Sequence, residues 1–359
     1  MQRPGNGTGA FGSVLSLSRA GPDMDIIVHL GAHRSATTTL QRYLARNAPA
    51  LRGAGVESWT PPLTRDGRFA GLIQKPSKST PLLDDLARRS VNRVRLELDR
   101  LERRATRQLI VSEENIIGAI LSNLRAGRLY PDLTERLVRF VPAVGGRTTR
   151  LAIGLRSYDS YWASALAYAI GRGFPAPDAD VLHQLATQPR SWRAIVAEIA
   201  ELCPDTQIIV WPFEALAGEP SRQVELLTGG ICLASGTAWQ AGRHNVGPDA
   251  AALNTILEAR GEGGPAYPPA EAGRHWMPFD PAQRARMRAR YIEDLDWLAS
   301  GAGHQIRFFG TEQDTADQRR VRHTRMLDRA SEVSGFAASA RAWTPLNGGQ
   351  GIGNERRMV

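Results

Sequence analysis

Cysteine is almost missing from this chain, with Cys203 and Cys232 the two present in 359 residues. Two thiols are too few for a disulfide framework or a cysteine-based zinc site, so neither organises the fold. Long apolar runs are missing as well. No stretch reaches the roughly eighteen apolar residues of a membrane span, and residues 1–23 hold no sustained apolar core of the kind a secretion signal needs. The sequence therefore reads as a cytoplasmic protein without a membrane span, with 1–23 a flexible leader and Met24 a candidate start. Lysine is the third scarcity. Lys75 and Lys78 are the only lysines among 45 basic residues, so a basic group set against a phosphate is expected to be arginine, with its planar, forked donors.

What is present is an ordinary globular composition, 42% hydrophobic and 23% charged, on a chain long enough to bury a large core. The net charge of +9 favours anionic partners. Nucleic acid is not expected among them, since no basic patch interleaves with aromatics and no known binding module occurs.

Short apolar runs alternate with helix-like segments. Ile26 to Leu30, Leu109 to Val111, Leu151 to Leu155 and Ile208 to Trp211 read as buried strands. Ala36 to Leu44, Leu82 to Gln108, Tyr158 to Ile170, Trp192 to Leu202 and Pro220 to Leu227 read as helices, as do Asn245 to Arg260 and Pro281 to Ser300. Phe308 and Phe309 could close the fold. Pro49 to Pro81 reads as a long surface connection, and 311–359 as a polar, largely disordered tail with a basic segment at Arg319 to Arg329. The pattern predicts an α/β domain over 24–310, built on a parallel central sheet flanked by helices. Ligands of such folds bind outside the strands' carboxyl ends.

Three strand ends carry the candidate chemistry. After the first strand, HLGAHRSATTTLQ turns into a helix, and backbone amides with the helix dipole make an anion trap there. Arg34 adds charge, and Ser35, Thr37, Thr38 and Thr39 add hydroxyls. LIVSEEN offers Glu113 and Glu114, and Arg156 ends LAIGLR eight residues before Ser164. The Walker signature GxxxxGK[ST] is absent, and no acidic residue stands near the first loop in sequence, so ATP or GTP kinase chemistry and a magnesium site are disfavoured. Taken singly, each patch also has a plain reading. The loop could be a Ser/Thr-capped helix, Arg156 a partner of a surface carboxylate, Glu113 and Glu114 a solvated helix start, and His29 with His33 ordinary polar contacts.

The three motifs in this order resemble sulfotransferases that use 3′-phosphoadenylyl sulfate (PAPS), over about residues 24–310. The family's 5′-phosphosulfate loop runs Lys or Arg, Ser or Thr, Gly or Ala, Thr, Thr or Ser, which Arg34, Ser35, Ala36, Thr37 and Thr38 follow. The resemblance implies a P-loop NTPase-like fold, PAPS as sulfuryl donor, PAP as product, and no metal. It implies that Arg34, Ser35, Ala36, Thr37, Thr38 and Thr39 hold the 5′-phosphosulfate, and that Arg156 and Ser164 read the 3′-phosphate. Arg34 would stabilise charge on the bridging oxygen. Glu114, or else Glu113, would be the general base, with His33 a secondary candidate and Arg243 and Asn245 approaching from the C-terminal side. The acceptor would be a small molecule or glycan offering a hydroxyl or amine, with a carbohydrate or lipid-linked sugar preferred; the oligomeric state is unread. The alternatives are a non-catalytic anion- or carbohydrate-binding module on the same fold, and another P-loop nucleotide enzyme.

Overall fold

The structure is a computed structural model that describes residues 24–75, 78–233, 248–262 and 276–310. The leader, the polar tail, Arg243 and Asn245 lie outside the described residues.

Six strands form one sheet in the order β2-β3-β1-β4-β5-β6, every neighbouring pair parallel. The chain opens with β1 (Asp25–Gly31), α1 (Thr37–Arg46), α2 (Ala48–Gly53), β2 (Val56–Trp59), α3 (Pro61–Leu63) and α4 (Pro81–Arg103). There follow β3 (Gln108–Ser112), α5 (Ile120–Ala126), α6 (Leu133–Phe140), β4 (Thr148–Leu155), α7 (Tyr158–Ile170), α8 (Ala179–Thr187) and α9 (Trp192–Leu202). The last described elements are β5 (Gln207–Pro212), α10 (Phe213–Leu216), α11 (Pro220–Thr228), α12 (Ala250–Glu258), α13 (Pro281–Ala299) and β6 (Ile306–Phe308).

Both faces of the sheet are covered, which is why its central strands read as unbroken apolar runs. Along β1, Ile26, Val28 and Leu30 join a core with Val94 and Leu98 of α4, Leu137 of α6, Trp162 of α7 and Ile195 of α9. Ile27 faces the other way, into a smaller core with Leu40 and Leu44 of α1 and Val224 and Leu227 of α11. Burying one such aliphatic side chain stabilises a fold by about 1.5–3 kcal/mol, so these two layers fix β1 firmly. From β1 the chain runs outward to β2 on one side, while β3 crosses over to β4 on the other. The winding therefore reverses at β1, and a crevice opens above its carboxyl end.

Two expectations about elements need correction. Pro49 to Pro81 is not simply a surface connection: it contains most of α2, then β2, α3 and a π-type turn at Thr64–Arg68. β2 is a four-residue strand at the sheet edge whose sequence, VESW, is half polar, so no apolar run marks it. The long amphipathic helix ends at Arg103, short of Gln108, because Ala105 takes a left-handed φ of 57° and turns the chain into β3.

Candidate functional site

The loop from Gly31 to Ala36 is stitched to itself. The Ser35 hydroxyl accepts from the Ala32 amide at 3.1 Å and donates to the Ala32 carbonyl, and the Ser35 amide donates to the same carbonyl at 3.2 Å. Ser35 is buried and is not among the residues lining the cleft, and its hydroxyl is already engaged with Ala32. Gly31 sits at φ 72°, where an added Cβ would come within 2.8 Å of the Thr37 hydroxyl. Arg34 (φ 64°) and Ala36 (φ 61°) are also left-handed, a region that costs a residue with a Cβ about 1 kcal/mol or more. The two wind the loop tightly enough to set α1 directly above the end of β1.

Ala36 is the N-cap of α1, and no side chain caps that helix. The reading of this loop as a Ser/Thr-capped helix therefore fails. The Thr39 amide turns back to the Ala36 carbonyl at 2.9 Å, and Ala36, Thr37, Thr38 and Thr39 all line a cleft of about 1890 Å³. Thr37 is mostly buried, its hydroxyl donating to the Ala32 carbonyl at 3.3 Å.

Consecutive loop residues go to opposite walls of that cleft. Arg34 reaches α7, where its Nε donates to the Ser164 hydroxyl at 2.8 Å and its guanidinium lies 5.6 Å from the Tyr168 ring centre. Arg156 donates from Nη1 to the Arg34 carbonyl and from Nε to the Ser160 hydroxyl at 3.0 Å, and lies over the Phe213 ring at 4.5 Å. Arg156 makes no ion pair among the described residues, so it is not the partner of a surface carboxylate. Burial, and after it the Arg34 charge, pulls its pKa down to about 10. Burial lowers Arg34 as well. Two guanidiniums that are each held below their usual pKa form a place where an added anion is stabilising.

His33 faces the other wall. Its Nδ1 lies 3.2 Å from the Tyr130 hydroxyl and its Nε2 3.3 Å from Asn115 Oδ1, while the same Tyr130 oxygen accepts from the His33 amide at 2.8 Å. An amide oxygen only accepts, so the network puts the imidazole proton on Nε2 and leaves Nδ1 turned to Tyr130. Burial keeps the ring neutral below its usual pKa, against the pull of Glu114. His33 thus positions its neighbours and is poorly placed to accept a proton from a ligand. His29 is also buried, bonded to the Ser112 hydroxyl at 2.9 Å and stacked on Trp211. Both histidines make ordinary polar contacts, and among the described residues no three His, Cys, Asp or Glu side chains gather as a metal set.

The two glutamates separate sharply. Glu113 is fully buried and outside the cleft, and its carboxylate takes Thr64 Oγ1 at 2.6 Å and Arg65 at 2.7 and 2.9 Å. It also accepts from the Asn115 amide at 3.0 Å, capping the turn at Glu114–Ile116. A carboxylate so enclosed is structural and reaches no ligand. Glu114 lines the cleft with 18% of its side chain exposed, one oxygen taking Arg65 at 2.9 Å and the other Gln41 at 2.8 Å. Burial pushes this carboxyl up, but His33, Arg65 and Gln41 outweigh it and hold its pKa below the usual 4.5. Neither glutamate is a solvated helix start. Glu114 also lies against Gly31, so the loop does have an acidic neighbour in space, although none in sequence.

Several residues of the site carried little or no sequence signal. Arg65, which holds both glutamates, falls in the stretch read as a surface connection. Ser160 stands one turn before Ser164 on α7, and Gln41 one turn after Thr37 on α1, so helical spacing could have found them. α13 adds Arg288 to Asp159 at 2.7 Å and Tyr291 to Glu214 at 2.9 Å, and both carboxylates act on the charge of Arg156. No protein-family model, curated protein or solved structure matches the chain.

Proposed function

We propose that the chain is a PAPS-dependent sulfotransferase on a P-loop NTPase-like α/β fold. The observation that carries this reading is the pairing of two walls in one cleft at the winding reversal. Arg34, Arg156 and Ser164 converge on one side of the loop, and the ionised, doubly held carboxylate of Glu114 stands on the other.

The residues present fit a nucleotide with two separate phosphate groups. Arg156 and the Ser164 hydroxyl, which still has its own hydrogen to donate, suit the 3′-phosphate, and the positive end of the α1 dipole, with Thr38 and Thr39 lining the cleft there, suits the 5′ group. The nucleotide supplies an activated sulfuryl group. The protein's part is positioning and charge: Arg34 stabilises negative charge as it develops, without giving up a proton. Glu114 takes the proton from the acceptor hydroxyl or amine. Its low pKa keeps it ionised at neutral pH, and Arg65 and Gln41 orient its two oxygens.

Thermal-shift measurements with PAP, ATP and GTP side by side test the cofactor. PAP is expected to stabilise the protein more than either triphosphate, and equal stabilisation by ATP rejects the reading in favour of another P-loop nucleotide enzyme. Glu114→Gln is expected to bind PAP as the parent does and to lose about a hundredfold or more in transfer rate. Undiminished transfer would remove Glu114 as the base. A chain that binds PAP but transfers to no acceptor would be the binding module.

A further inference from the structure

The chain's two lysines line the same cleft, although they lie outside every motif considered so far. They follow the π-type turn, and arginines of α6 bond residues on either side of them. Arg136 Nη1 donates to the carbonyls of Ile73 and Asn115, each at 3.0 Å, tying Ile73 to the turn that carries Glu114. Arg139 bonds the Gly71 carbonyl at 3.1 Å and the Ser79 hydroxyl at 2.8 Å. Lys75, two residues after Ile73, is therefore held near the turn that carries Glu114, and Lys78 directly precedes the Ser79 that Arg139 holds.

Arg136 adds to the same wall. It is 3% exposed yet lines the cleft, its Nε has no hydrogen-bond partner, and it makes no ion pair among the described residues. The unpartnered Nε is itself enclosed, so what Arg136 brings to the cleft is its positive charge and not that donor. Lys75 and Lys78 make no ion pair either among the described residues. Arg65 is different, since Glu113 and Glu114 already neutralise it. The cleft, at about 1890 Å³, is larger than the roughly 300–1,000 Å³ of a single-ligand pocket. A second molecule fits beside a nucleotide.

We propose that Arg136, Lys75 and Lys78 form an anion subsite for the acceptor, so that the molecule modified here is itself acidic, with a carboxylate or sulfate near its accepting group. This rests on the sulfotransferase reading for the word acceptor; the anion subsite itself does not need it. An acid that already carries negative charge is repelled by the ionised Glu114 and by the donor. Cations placed on the base's side offset that repulsion and hold the acid end away from the carboxylate.

Calorimetric titration with PAP present, using a glucuronic-acid-containing disaccharide and its neutral glucose counterpart, tests the subsite. The acidic sugar is expected to bind at least tenfold more tightly, with an advantage that shrinks as salt rises. Lys75→Gln/Lys78→Gln, which alters only half-buried or exposed side chains, is expected to remove about tenfold of that affinity while PAP affinity stays as in the parent. Arg136→Met is expected to do the same if it folds, and the lysine pair decides the matter if it does not. Equal binding of the two sugars, no binding of the acidic one, or an unchanged affinity in the lysine variant overturns the proposal. Failure of the parent to bind PAP, together with lysine-dependent binding of the acidic sugar, would reject the transferase reading and leave the anion subsite standing.

Discussion

Ala36 carries a sharp local conflict. It occupies φ 61° and ψ 18° at the N-cap of α1, a conformation that glycine adopts freely and alanine does not. An alanine in this turn can keep φ negative or accept strain, and the structure takes the strained form. Ala36→Gly is expected to stabilise the protein by about 1 kcal/mol in urea denaturation. A destabilised variant would mean that the Ala36 methyl packs favourably enough to outweigh the backbone cost. Arg34 keeps the same backbone region at φ 64°, with its guanidinium bonded to Ser164 on α7. Strain at two neighbouring positions of one loop is typical of a site that must hold its donors in place before a ligand arrives.

Among the elements, the segment strapped by α6 is the most sensitive to a small change. Gly71 lies against α4 at φ 76°, and an added Cβ would meet the Leu83 carbonyl at 2.4 Å and the Ala87 amide nitrogen at 2.6 Å. Both are backbone atoms that cannot swing aside, so Gly71→Ala is expected to cost about 3 kcal/mol in a urea titration. A loss below about 1 kcal/mol would show that the segment can shift freely. The central elements were legible in the sequence because burial on both faces leaves strong marks: Tyr158–Ile170 and Trp192–Leu202 follow the boundaries read from the apolar pattern. β2 was not legible, as four residues with Glu57 and Ser58 among them give no period to read. The strand-end residues Arg34, Glu114 and Arg156 could be singled out because each follows an apolar run. The partners that orient them, Arg65, Gln41 and Ser160, come from other elements or other turns, and only the folded chain brings them together. The division of labour between Glu113 and Glu114 was equally hidden, since adjacent acidic letters say nothing about which one is enclosed.

For the molecule as a whole, the buried histidines are one source of the response of stability to acid. His29 is buried between Ser112 and Trp211, and burial pulls its pKa from 6.5 to about 4. The unfolded chain binds this proton more readily than the folded one. The contribution is therefore complete above pH 6.5 and is lost progressively as pH falls towards 4, amounting to about 3 kcal/mol from this one ring. His33, lowered for the same reason, acts in the same direction. Urea midpoints measured between pH 7 and 4 are expected to fall steadily, and His29→Gln to flatten the slope whatever it does to stability at pH 7. An equal slope in the variant would place the acid sensitivity elsewhere.

The order in which the sheet is completed has its own consequence. β5 ends at Pro212, but its outer neighbour β6 begins only at Ile306, and Asp294, which bonds the Tyr158 hydroxyl and the Trp192 amide, arrives on α13 just before it. While the chain is being synthesised, β5 therefore waits as an open edge, able to pair with a strand from another molecule. Exchange of α13 and β6 between two chains would satisfy every contact that each makes within one chain, so a swapped dimer is the natural misassembly of this fold. Refolding at increasing protein concentration is expected to raise the dimer fraction, and a fraction independent of concentration would show that β6 finds its own β5 before any neighbour can.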